Sequence, residues 1–502
     1  MDIINNLLSI KIKNRIKLIQ KAIQNPIEYQ EKILKKNIKS ACNTVFGEEH
    51  RFKKITNYRE YQNLIPISDY EAFKKYIFHA QKNTKNILWP GRVNWFAKSS
   101  GTTASKSKYI PVTKDSLEEC HYKGGKDLLA LYYSNFPSRK LYNGKHLIVG
   151  GSTEKKHLSK SSYSGDLSAI IVDNLPWWAE IRRTPSKEIA LLSDWEIKIE
   201  KMAQNVINED IYIIAGVPSW VLVLAYRILE ITGKKNLREV WPNLELYMHG
   251  GVNFEPYKEE FKKLIPFEDM HYVESYNASE GFFAIQDNPK SDDLLLMLDY
   301  GVYYEFIPMK DYKGINSKEI ISLREVKKGV NYALVISTNG GLWRYIIGDT
   351  IKFTSIHPYK IKITGRTKSF INAFGEELIV ENAELAVAYA AKKTNATVKE
   401  YSACPKFINN GESGCHEWLF EFIHKPKNLN QFTYYLDQKL QEINSDYQIK
   451  RHKDLVLQLP KVIIAKNGSF SHWLKENGKL GGQNKIPRLV NSREIMEQLL
   501  QI

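Results

Sequence analysis

Five short β-type runs in this chain reach glycine within three residues of their ends. Residues 145–149 (KHLIV) run into Gly150-Gly151, and 211–215 (IYIIA) into Gly216. Residues 244–249 (LELYMH) end in Gly250-Gly251, 333–337 (ALVIS) in Thr338-Asn339-Gly340-Gly341, and 360–364 (KIKIT) in Gly365. Helical patterns stand between several of these runs, as at 255–265 (EPYKEEFKKLI). Strand, glycine loop and helix in alternation predict α/β layers. In such sheets ligands gather at the carboxyl ends of the strands, where these glycines stand.

The most apolar stretch, 211–229, is long enough to span a bilayer, but Gly216-Val217-Pro218-Ser219 interrupts it and Asp210 and Arg227 bracket it. It reads instead as a buried strand, a turn, and a helix with Pro218 in its first turn and Gly233 at its end. A helical run begins near residue 376 (EELIVENAELAVAYAAKKTN), followed by strand-like runs at 419–423 and 456–465. With 502 residues, one compact unit is too few. We place a large α/β N-terminal domain at 1–368 and a small, mobile α+β C-terminal domain at 369–502.

Four cysteines without a CxxC pair predict neither a disulfide scaffold nor a zinc module. Reduced thiols point to the cytoplasm. The formal net charge of +16 suits an anionic partner. The basic residues are scattered, however, which predicts a solvated surface and no nucleic-acid role. Residues 1–24 lack the apolar core of a signal peptide. There Leu8, Ile12, Ile16, Ile19 and Ile23 form one helical stripe, the pattern of a terminal helix packed on the body.

Several segments carry candidate chemistry. Residues 98–108 (KSSGTTASKSK) offer hydroxyls, backbone N–H groups and three lysines between two predicted strands, as a polyphosphate requires. This is not a Walker A loop, because no second glycine precedes the lysine. At 249–251 (HGG), glycine lets a flat ring approach the backbone. At 276–281 (YNASEG), Tyr276 can stack on a base, Ser279 can bond phosphate and Glu280 can hold a hard cation. Asp349, in 343–349 (WRYIIGD), follows Gly348 and can accept from a ribose diol. Arg366 and Lys368 lie in 365–377 (GRTKSFINAFGEE), and Lys485 and Arg488 in 483–488 (QNKIPR).

In this order the segments resemble the Gretchen Hagen (auxin-responsive) family of acyl acid amido synthetases, a branch of the adenylate-forming superfamily. The resemblance runs from about residue 60 to the end. It implies a phosphate loop at Ser99, Ser100, Gly101, Thr102 and Thr103, with Gly250 and Gly251 beside the adenine and Tyr276 on its other side. It further implies that Ser279 and Arg366 lie near the nucleotide, that Asp349 holds the ribose, that Glu280 holds magnesium (Mg2+), and that Lys485 is a catalytic lysine on a closing domain. Three departures stand out. Ala104-Ser105 replaces the small flexible pair of many relatives. Lys368 stands where the superfamily often has Asp, and Asn372 where it often has Lys.

The implied reaction consumes ATP and a carboxylic acid, forms an acyl-adenylate, and transfers the acyl group to an amine such as an amino acid. The alternative acceptor is a thiol such as coenzyme A. Val217, Trp220 and Leu222, or Trp177-Trp178, are candidates for the acyl pocket. The expectation is a cytoplasmic monomer without an integral membrane segment.

Overall fold

The computed structural model describes residues 2–502 except 100–107, 140–143, 151–155, 160, 252–253, 255–256, 368–369, 372–375, 377, 409–412, 445–446, 449–450, 452–456, 478–484 and 491; the side chains of 2–10, 99, 178, 195, 219 and 370 are likewise left undescribed. Ala104, Ser105, Lys368 and Asn372 therefore lie outside the described residues.

A mixed sheet organises the large N-terminal part. Among the described residues it has twelve strands. Its parallel half runs in space through Arg183–Thr184, Lys145–Val149, Ile211–Gly216, Leu246–Gly250 and His271–Ala278. An antiparallel half continues from Gly281–Ile285 through Leu294–Leu296, Tyr359–Arg366, Tyr345–Ile356, Asn331–Thr338 and Val302–Pro308 to Ile321–Ser322. Of the parallel strands, Ile211–Gly216 is apolar on both faces, as a helix-covered sheet requires.

One of those helices is Pro218–Thr232, with Pro218 in its first turn and Gly233 left-handed at φ 66° at its end, as the sequence predicts. Strand Lys145–Val149 has the predicted bounds. Strands Trp95–Ser99 and Lys108–Val112 pair antiparallel, with Ser99 opposite Lys108. That pair belongs to a second sheet, with Ser162–Gly165 and Lys156–Ser159.

The N-terminal helix Asp2–Gln24 packs on the body. Ile19 is buried, and Arg15 donates to Asp127 Oδ1 and Oδ2 at 2.7 and 2.6 Å and to Asp299 at 3.1 Å. No helix among the described residues is long and apolar enough to cross a membrane.

From Ile371 onward the chain has its own apolar core, centred on Trp418, Phe420, Leu436 and Leu440. Strands Thr397–Ile408, Ser413–His424 and Lys461–Ile464 form its sheet, covered by helices Val380–Thr394 and Leu429–Ile443. Two expectations need correction here. The helical run does not begin near 376: Leu378–Ile379 pairs with Phe370–Ile371 as a strand, and the helix starts at Val380. The strand expected over 456–465 is confined to Lys461–Ile464. Pro460 has no N–H to donate to a ladder and ends the strand there. In the large part, the helix expected from residue 255 begins at Lys258.

Candidate active site

The carboxyl ends of the central strands open onto a cleft of about 1870 Å³ that the C-terminal core closes from the other side. Residues 276–281 reach it as a hairpin. Ala278 pairs with Gly281, so Ser279-Glu280 forms the two-residue tip. Burial raises the Glu280 carboxyl above the ordinary carboxylate range; Lys108 pulls against this and Asp349 adds to it. Ser279 is 5% exposed, and its Oγ has no hydrogen-bond partner among the described residues.

Asp349 lies on the neighbouring limb of the sheet. Five residues before it, Arg344 is fixed by Glu305, with Nε and Nη2 donating at 2.9 and 3.0 Å. Gly348 adopts φ 94° and bends the strand just ahead of Asp349. Such a φ is strained for any residue with a side chain. Antiparallel register places Asp349 opposite Arg366, whose Nε donates to Asp349 Oδ1 at 2.8 Å. The Tyr276 hydroxyl donates to Oδ2 at 2.6 Å. A carboxylate has about four acceptor directions, so two remain for a ligand. Arg366 is half-exposed, and Asp349 raises its guanidinium pKa further.

Gly250 ends the strand opposite Ser275. A Cβ there would lie 2.5 Å from the Ser275 carbonyl oxygen, so only glycine permits this parallel pairing. Gly251 turns away at φ 79°, and its carbonyl accepts from Lys485 Nζ. Lys485 thus bridges the C-terminal core to the floor of the cleft. Its loop is clasped by Arg488, which pairs with Glu384 at 3.4 Å and with Glu400, and lies 4.4 Å from the Tyr401 ring centroid.

The structure therefore brings Gly250, Gly251, Tyr276, Ser279, Glu280, Asp349, Arg366 and Lys485 to one cleft. Ser99 ends its strand toward the loop, while Ser100, Gly101, Thr102 and Thr103 lie outside the described residues. Val217, Trp220 and Leu222 line the cleft. Trp177 is 76% exposed on a surface helix and does not line it. The Glu384–Arg488–Glu400 clasp was missed. Its members are far apart in sequence and meet only through the C-terminal sheet.

Among the described residues no cluster of three His, Cys, Asp or Glu is placed to hold a metal. The oxygen donors present suit magnesium, which binds through one or two carboxylates, waters and substrate phosphates and needs no all-protein cage.

Among the described residues, then, a twelve-stranded mixed sheet borders at its carboxyl ends a cleft into which the C-terminal core offers Lys485. The solved GH3.15 acyl acid amido synthetase shares this fold with a TM-score of 0.79, at 15% identity over 97% of this chain and 95% of that one. A 2-hydroxyisobutyryl-CoA ligase in its postadenylation state shares it less closely, with a TM-score of 0.57, 12% identity and coverage of 97% and 92%. The GH3 family N-terminal domain matches residues 15–270, its central domain 295–366 and its C-terminal domain 381–494. The chain belongs to the GH3 family. Among curated relatives, the indole-3-acetic acid-amido synthetase GH3.4 of Arabidopsis thaliana is 22% identical, covering 96% of this chain and 92% of its own. The jasmonoyl–L-amino acid synthetase JAR6 of Nicotiana attenuata is 23% identical, covering 94% and 92%.

Proposed function

We propose that this chain activates a carboxylic acid with ATP as an acyl-adenylate and passes the acyl group to an amine, an amino acid in the first instance. The observation that carries this reading is the Lys485 contact with Gly251, which places a cation of the small domain in the cleft of Glu280, Asp349 and Arg366. Adenylation needs two anions, a carboxylate and the α-phosphate, brought together. Fixed cations and donors aimed at the developing charge do that without a covalent nucleophile.

In this reading Asp349 holds the ribose hydroxyls, with Tyr276 and Arg366 fixing its orientation. Gly250 and Gly251 border the adenine. Hydroxyls and N–H groups from Ser99 to Thr103 hold the phosphates, with Ser279 beside them. Glu280 is the residue to hold magnesium, which supplies charge neutralisation on the phosphates. Residues 1–368 and 369–502 act as two bodies that turn about their junction. This moves Lys485 away once pyrophosphate has left. Both walls of the cleft come from one chain, so a monomer suffices. The four cysteines are free thiols, which suits the cytoplasm.

The full-length likeness to amido synthetases favours the amide product over a thioester. With an accepted acid, ATP and mixed amino acids, mass spectrometry should find an N-acyl amino acid and AMP. Turnover with coenzyme A alone would assign the chain to thioester formation instead.

Glu280→Gln should raise the magnesium concentration needed for half-maximal adenylation, because an amide oxygen binds a hard cation more weakly than a carboxylate. Titrating Mg²⁺ at fixed ATP measures it. An unchanged midpoint would place the metal elsewhere.

A further inference from the structure

One wall of the cleft has features that nucleotide binding leaves unexplained. It is the start of helix Tyr122–Asn135, entered through a π-helical turn over Leu117–His121. π-turns are rare inside helices and frequently mark functional sites. This one ends on His121, which is 5% exposed and lines the cleft. Its ring has no hydrogen-bond partner among the described residues, and Nδ1 is fully buried. Burial lowers the imidazole to about 4, so the ring is neutral near pH 7. A buried unpaired imidazole costs stability unless something pairs it.

Two glycines follow in the first turn of that helix, where each costs up to about 1 kcal/mol relative to alanine. Gly124 has a packing reason: a Cβ there would lie 2.5 Å from the Phe282 ring. Gly125 has none, since a Cβ would meet nothing within 4 Å, and Gly125 lines the cleft. His121, Gly125 and Leu128 recur at helical spacing and share the cleft-lining face. The helix cannot roll to hide them. Away from that face Asp127 is held by Arg15 at 2.6 Å and by the Tyr300 hydroxyl at 2.7 Å, and Lys123 bonds the Asp299 carboxylate at 3.0 Å. Apolar groups line the same cleft, among them Ile171, Val172 and Val217.

We infer that this face selects the acid: His121 hydrogen-bonds a hydroxyl on an otherwise apolar carboxylic acid, and the space over Gly125 admits that acid's bulk. The inference rests on the ligase reading above. A hydroxyl both donates and accepts, so it suits either tautomer of the neutral ring. An acid lacking it would bury the imidazole unpaired, a cost of about 1–3 kcal/mol, or roughly 5- to 150-fold in kcat/KM.

The test is acid-dependent ATP–pyrophosphate exchange with matched pairs: phenylacetic acid against its ring-hydroxylated isomers, and octanoic acid against hydroxyoctanoic acids. The wild type should prefer at least one hydroxylated acid over its parent by about 5- to 150-fold. His121→Leu should bring that ratio close to one, and His121→Gln, which still hydrogen-bonds, should restore part of it. Gly125→Val should raise KM for the bulkier acids more than for small ones, which keeps the test open if His121→Leu does not fold. A wild type without hydroxyl preference, or a ratio unmoved in both His121 variants, overturns the inference while leaving the ligase reading intact. Exchange with no acid at all overturns both.

Discussion

Lys485→Ala slows acyl-adenylate formation by about 10²–10³-fold, the cost of losing one preorganised electrostatic contact, and slows amide formation from supplied acyl-adenylate far less. Charge develops on the α-phosphate only in the first half-reaction. In the second, the acyl–oxygen bond breaks after pyrophosphate has gone. The lysine reaches the cleft from a separate apolar core and meets the Gly251 carbonyl there, so its contribution depends on closure. Rapid-quench measurement of both half-reactions on one purified variant separates the outcomes. Equal losses would mean a shared binding or folding defect, and no loss would leave Lys485 a surface cation. A pH dependence follows from the same contact. Burial in the cleft, with the Arg366 and Arg488 guanidiniums nearby, lowers the Lys485 ammonium to about 8. Lys485 is nonetheless exposed to solvent, which screens part of this effect. Adenylation needs the charged form, so kcat/KM for ATP should fall as pH rises through that region. Lys485→Arg should flatten that limb.

Asp349→Ala weakens ATP binding by roughly 10- to 100-fold, since hydrogen bonds to a charged group are worth about 1.5–3 kcal/mol. The geometry adds a complication. Asp349 also accepts from Tyr276 and Arg366, so its loss unpairs a buried hydroxyl and a guanidinium. Comparing ATP with 2′-deoxy-ATP isolates the ribose contact. The wild type should discriminate between them, and Asp349→Ala should bind both alike. Tyr276→Phe should weaken both nucleotides while keeping the discrimination. Persistent discrimination in Asp349→Ala, measured calorimetrically on folded protein, would move the ribose contact to another residue.

Local features of this fold were legible where a residue's covalent nature dictates its backbone. Pro218 and Gly233 delimit one helix because one cannot sit in its interior and the other adopts φ 66° without strain. Apolar runs ending in glycine marked the strands at 145–149 and 211–216 for the same reason. Reading failed where tertiary contacts decide. Residues 378–379 have helical composition but pair as a strand with 370–371. Residues 456–465 are mostly apolar, yet Pro460 cuts their ladder short.

The site divides along similar lines. Asp349 and Arg366 are recognisable singly, but their pairing follows from strand register, and register depends on the whole sheet. The Arg488 clasp and the unpartnered His121 carry no local signal. Each is defined by what other segments place, or fail to place, around it.

The central claim is that this cleft adenylates a carboxylic acid. Exchange of labelled pyrophosphate into ATP, run over a panel of aryl and aliphatic acids with no amine present, tests it most directly. Acid-dependent exchange is predicted, abolished by withholding the acid and cut about 10²–10³-fold in Lys485→Ala. Folded protein that binds ATP yet exchanges no label with any acid in the panel would contradict it.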